Sequence, residues 1–228
     1  MRIFSLLLFF HVFNVFASID KDRWKSIINL IINDIYKDKL LEIATNRKVN
    51  VWVSYAWESN SVNAEARNYF YSSPNYKHDA LHFIFYGGLA RIEKINDLGF
   101  AAAVCHELGH HLGGPPFKQN TLFSTEGQAD YFSAGCIIKY LRRSYYPEDI
   151  ILSTAFMAAY NLHNSIFLMK GMGVLNMKVN TQLPPFKHIL NKGIDQDYPT
   201  AECRLLTLYN AIYKMSRPKC WYNPKIDI

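Results

Sequence analysis

The chain has 228 residues, half of them apolar (50%), enough to bury one sizeable core, and a single domain is expected over 18–228. The net charge is +6, but Lys and Arg are scattered rather than gathered into a patch, which argues against a nucleic-acid partner. There are no internal repeats and no low-complexity tracts.

Residues 1–17 have the pattern of a signal peptide. Arg2 supplies a short positive region, Ile3 to Phe16 is mainly apolar, and Val15-Phe16-Ala17 puts small or aliphatic residues where signal peptidase reads. The stretch is shorter than the roughly 20 residues of a membrane span. Cleavage near Ala17-Ser18 is expected, giving an exported protein with no transmembrane anchor, secreted or held in the periplasm or cell envelope.

Residues 20–44 place Ile27, Ile28, Ile31, Ile32, Ile35 and Leu41 at helical spacing, which predicts a packing helix. Val49, Val51, Val53, Tyr55 and Trp57 alternate as in a half-buried strand, broken by Asn60-Ser61-Val62-Asn63. Residues 81–86 predict a second strand, ended by Gly87-Gly88. Asp97 is the expected N-cap of a helix through Phe100-Ala101-Ala102-Ala103-Val104, stopped after His110 by Gly113-Gly114-Pro115-Pro116. Thr125 with Gln128 predicts a capping box starting the next helix. A long helix follows from about Pro147 to Lys170, apolar nearly all round and therefore buried. Then come a long loop over 171–198 and a last helix from about Thr200 to Ser216. Two strands followed by helices make an α+β arrangement.

Chemistry concentrates at two motifs. The first is His106-Glu107-Leu108-Gly109-His110; the second is Glu126-Gly127-Gln128-Ala129-Asp130. Residues four apart share a helix face, so both imidazoles can aim at one point, with Glu107 beside them to hold water. Glu126 on a second helix can add a third ligand and leave a fourth position open, the layout of a catalytic zinc site. Asp130 is placed to accept a hydrogen bond from a ligand imidazole. His111 points about 100° away from His110, toward second-tier support or the surface. His78, His82 and His188 lack ligand spacing and are read as structural.

Four cysteines, Cys105, Cys136, Cys203 and Cys220, allow three pairings in an oxidising compartment, or four free thiols. A Cys105–Cys136 bridge would clamp the two ligand helices, and a Cys203–Cys220 bridge would pin the tail.

The two motifs resemble those of the gluzincin metallopeptidases, specifically the HtpX-like and CAAX-prenyl-protease-like family. Asn63-Ala64 and Gly87-Gly88-Leu89 are similar to flanking features of that family. So is Tyr198-Pro199 followed by Arg204, although the family carries His where Tyr198 stands and has transmembrane helices that this chain lacks. The resemblance covers roughly residues 50–204. It implies a mostly helical zincin-like (minigluzincin) domain with a small sheet packed on the HExxH helix, and one Zn2+ held by His106, His110 and Glu126. It further implies a zinc metalloendopeptidase in which Glu107 is the general base and Tyr198 steadies the oxyanion, with Arg204 and His163 as further support. The strand at 81–86 would be the edge that pairs with an extended peptide or protein substrate. Two alternatives stand beside this: a zinc-stabilised, non-catalytic peptide-binding module, and a zinc amidase acting on cell-wall peptides.

Overall fold

The N-terminal isoleucines build the first packing surface. The computed structural model describes residues 18–73, 76–169 and 199–222. Helix α1 (Lys21–Asn29) is capped by Asp20, whose carboxylate accepts the Arg23 N–H at 2.8 Å, and it buries Trp24, Ile27 and Ile28. A π-helical turn (Leu30–Ile35) and α2 (Lys37–Arg47) follow, so the single helix expected over 20–44 is interrupted. The wide turn and the non-helical Tyr36 (φ −113°, ψ 6°) reset the helical phase. Leu40 enters the core in consequence, and Leu41, expected inside, is 52% exposed.

A three-stranded sheet comes next, formed by β1 (Asn50–Ala56), β2 (Ala64–Ser73) and β3 (Tyr76–Tyr86) in the order β1-β3-β2. β1 runs parallel to β3 and β2 antiparallel to it, with Val53 and Ala66 both opposite Phe83. Period-two alternation sends Leu81, Phe83 and Phe85 into the core. Two expectations are corrected here. The strand seen at 81–86 begins at Tyr76 and is central, not an edge. The edges are β1 and β2; β2 was missed because its first half, Ala64-Glu65-Ala66-Arg67-Asn68, has no β-branched or aromatic residue, and pairing with β3 imposes its extended form.

After a single turn, α3 (Gly87–Ala90), comes α4 (Asp97–Leu112). Its N-cap is Asn96, not Asp97: the Asn96 side chain accepts the Gly99 N–H at 2.9 Å, while Asp97 pairs with Arg23 at 2.6 Å. The helix lies under β2 and β3 and against α1, α5 (Glu126–Arg143) and α6 (Ile151–Met169). Covered on so many sides, α4 buries every residue from Gly99 to His111. Gly109 makes the closest approach. A β-carbon there would lie 2.5 Å from the Ala129 carbonyl oxygen, so its absence lets α4 and α5 touch backbone to backbone.

The capping box expected at α5 does not form. Gln128 turns away and donates from Nε2 to the Gly113 carbonyl at 2.7 Å, and no side-chain cap comes from Thr125. A short 3-10 turn (Glu148–Ile150) leads into α6. This helix is buried along one face only: Ile151, Ala155, Ala158 and Ala159 are covered, whereas Leu152 and Met157 are 41% and 42% exposed. The expectation of a helix buried all round is thus corrected. Helix α7 (Ala201–Ile212), capped by Thr200, stops short of Ser216.

Both bridges weighed from the sequence form, Cys105–Cys136 and Cys203–Cys220, and no free cysteine remains. The first ties α4 to α5. The second holds the tail so that Trp221 is buried against Gly127 and donates from Nε1 to Thr207 Oγ1 at 2.7 Å. Among the described residues, no helix is long and apolar enough to cross a membrane. The expected signal peptide and the 171–198 loop lie outside them.

Candidate metal centre

The α4–α5 contact brings His106, His110 and Glu126 together, one ligand atom from each lying within 4.8 Å of the others. His106 Nε2 is 3.2 Å from Glu126 Oε2, and His110 Nε2 is 3.5 Å from Glu126 Oε1. All three side chains are buried. Glu126 opens α5, where the helix N-terminus favours a carboxylate.

Each imidazole is oriented from behind. His110 Nδ1 lies 2.9 Å from the Ser124 carbonyl oxygen, which can only accept, so the Nδ1 proton is fixed and the Nε2 lone pair faces Glu126. Burial holds His110 neutral, pushing its pKa down to about 4. His106 Nδ1 lies 2.8 Å from Asp130 Oδ1. Asp130 is buried, which alone would raise its pKa, but Arg204 and His106 lower it well below the usual carboxylate range. Arg204 grips that carboxylate twice, Nε to Oδ2 at 2.7 Å and Nη2 to Oδ1 at 2.9 Å.

The donor set and its charge suit a divalent cation. With both imidazoles neutral, Glu126 and Asp130 offset Lys118 and Arg204, and ionised Glu107 adds a further negative charge. Burial opposes the charged form of His106, yet Asp130 and Glu126 outweigh burial and lift its pKa to about 10. A proton held on Nε2, the atom a metal would need, would leave when metal binds.

Glu107 lies at the same place without joining the triad. Burial raises its pKa to about 7; His106 and the Ala66 amide of β2 pull the other way, and Glu126 adds to the rise. The edge strand therefore borders the centre. Near its rear lies His163, buried and held neutral, with its pKa pushed down to about 3 chiefly by burial. The charges of Arg204 and Asp130 both reach it.

Of the residues singled out in the sequence, the fold thus gathers His106, Glu107, His110, Glu126, Asp130 and Arg204. Tyr198 lies outside the described residues. His111 is not at the surface: it is buried at 2% exposure, edge-on to Phe83 (4.9 Å) and to Phe123 (4.7 Å). His82 bonds Ser54 Oγ through Nε2 at 2.8 Å, away from the centre. Three contributors escaped the sequence reading. They are the Ser124 carbonyl, which carries no side-chain signal; Phe123, stacked on His110 at 5.5 Å; and Lys118, 2.8 Å from Glu126 Oε1.

No protein-family model matches the chain, and no curated protein or solved structure is significantly similar to it.

Proposed function

We propose that this protein is an exported zinc peptidase of the zincin type, cutting peptide bonds in extended substrates. One observation carries the reading. The Nε2 atoms of two imidazoles, each tied to an acceptor through its Nδ1, converge with a carboxylate on one point, and a further carboxyl group outside that triad, Glu107, is buried beside them. His106, His110 and Glu126 would hold the ion. When bound, zinc supplies Lewis acidity to water and to the scissile carbonyl.

The chain's own groups do the rest. Glu107, tuned toward neutrality, takes a proton from the attacking water and passes it to the leaving amide nitrogen. Asp130, itself held by Arg204, fixes the His106 tautomer. Arg204, whose Nη2 lies 3.3 Å from His106 Nδ1, would support charge developing on the carbonyl oxygen, with the neutral His163 behind it. Substrate backbone would add to the outer edge of β2, in place of the strand at 81–86, because β2 is the edge whose Ala66 amide reaches Glu107. A site built only to bind peptide has no need of a buried carboxyl group at Glu107. The two disulfides and the apolar N-terminal sequence support export.

The test joins metal analysis with cleavage. Purified mature protein should carry one zinc per chain and cut casein or a peptide library, and a chelator should stop it. Glu107→Gln should keep the zinc and lose cleavage. Undiminished cleavage by that variant would exclude the mechanism, and zinc without cleavage by the wild type would favour the binding module.

A further inference from the structure

Each of the three donors has its own partner behind it. Asp130 serves His106, the Ser124 carbonyl serves His110, and Lys118 serves Glu126. The first two are the orienting contacts expected around a metal ligand. The third differs, because an ammonium group beside a ligand carboxylate occupies one of its oxygens and repels the incoming cation.

Lys118 is not a freely swinging surface lysine. It sits in a small hairpin closed by the Phe117–Ser124 bridge, its N–H donating to the Phe123 carbonyl at 2.7 Å. Its own carbonyl accepts from the Thr121 N–H at 3.1 Å and from Thr121 Oγ1 at 2.9 Å. Phe123 and Ser124, on the opposite arm of the same hairpin, hold His110. One hydrogen-bonded loop therefore contacts two of the three donors. Lys118 reaches Oε1 of Glu126 at 2.8 Å, closer than His110 Nε2 at 3.5 Å, while Oε2 faces His106 Nε2 at 3.2 Å with Arg204 Nη2 farther off at 3.8 Å.

We infer that Lys118 is a positioning residue that holds Glu126 to a single ligand oxygen, keeping a coordination position free and the ion exchangeable. The inference rests on the metal reading above. A carboxylate released from Lys118 could turn both oxygens to the ion, adding a ligand atom and closing the position that substrate needs. Losing the ammonium would also remove a repelling charge. Both effects strengthen metal binding, at the expense of an open site.

The experiment uses the full mature chain, stripped and reloaded with Zn2+ or Co2+ alone. Wild type should give a Co2+ spectrum of three protein donors with exchangeable water, one that shifts when a small anion such as azide is added. Lys118→Met should bind Zn2+ about tenfold more tightly in chelator competition, a gain of the size a lost nearby charge produces. Its Co2+ bands should weaken toward a higher coordination number and no longer respond to azide. Lys118→Arg, which keeps charge and hydrogen bond, should behave as wild type and serves as the check on folding. Unchanged or weaker Zn2+ binding by Lys118→Met, with a wild-type spectrum, overturns the positioning role. Failure of the wild type to bind either ion overturns the metal reading itself, a separately recognisable result.

Discussion

Gly109, inside the first motif, packs its α-carbon against the backbone of Ala129, inside the second, where an added β-carbon would lie 2.5 Å from oxygen and 2.7 Å from Cα. Backbone contact leaves no flexible side chain to move aside. The spacing of the two ligand helices therefore depends on this one missing methyl group.

Gly109→Ala should accordingly push α5 away and carry Glu126 with it. A destabilisation of about 1–3 kcal/mol is expected for overpacking of this kind, together with weaker Zn2+ binding. Denaturant melts and chelator competition measure the two effects. A variant as stable as wild type with unchanged Zn2+ affinity would show that the close approach is not required.

The Cys105–Cys136 bridge joins the same helices one residue from His106. Replacing both cysteines with alanine should cost about 3–4 kcal/mol from the 31-residue separation alone in the chain-entropy account. Zn2+ affinity should drop further than it does on removing Cys203–Cys220, which pins the tail. Equal losses of affinity from the two double variants would argue against a clamp at the centre.

His111 predicts acid sensitivity. Burial pushes its pKa down to about 3 against a small opposing pull from the His82 backbone, and His163 is likewise lowered to about 3. Both rings are neutral when folded and titrate near 6.5 when unfolded. As pH falls from 6.5 toward 3, the unfolded chain takes up protons that the folded chain refuses, so stability is lost in that window and present above it. Among the described residues, neither ring nitrogen of His111 has a hydrogen-bond partner of ordinary geometry, and Phe83 and Phe123 flank it. His111→Phe should therefore stabilise by about 1–2 kcal/mol, relieving a buried unpaired polar group, and should flatten the acid limb of a stability–pH curve. A loss of stability at pH 7 would mean the imidazole is needed where it stands.

The candidate metal-binding face was readable because its spacing is geometric: His106 and His110 four apart share a helix face, and so do Glu126 and Asp130. Two strands, the main helices and the usefulness of each cysteine pair followed from periodicity and position. Helix ends were less legible. Asn96 and Asp97 are both good caps, and only the reach of Arg23 across the fold takes Asp97 for an ion pair. The phase of the first helix was lost at a π turn that no pattern announces.

By itself, then, the sequence determined which side chains could bind a cation and that they would lie on two helices, since local periodicity decides what shares a face. Only the tertiary structure decided which strand is central, that β2 pairs beside it, and that Lys118 and the Ser124 carbonyl stand behind the donors. The reason is physical. A weak strand former such as Ala64–Asn68 is extended because β3 pairs with it, and a backbone carbonyl or a lone lysine gains its role only from what the folded chain brings against it.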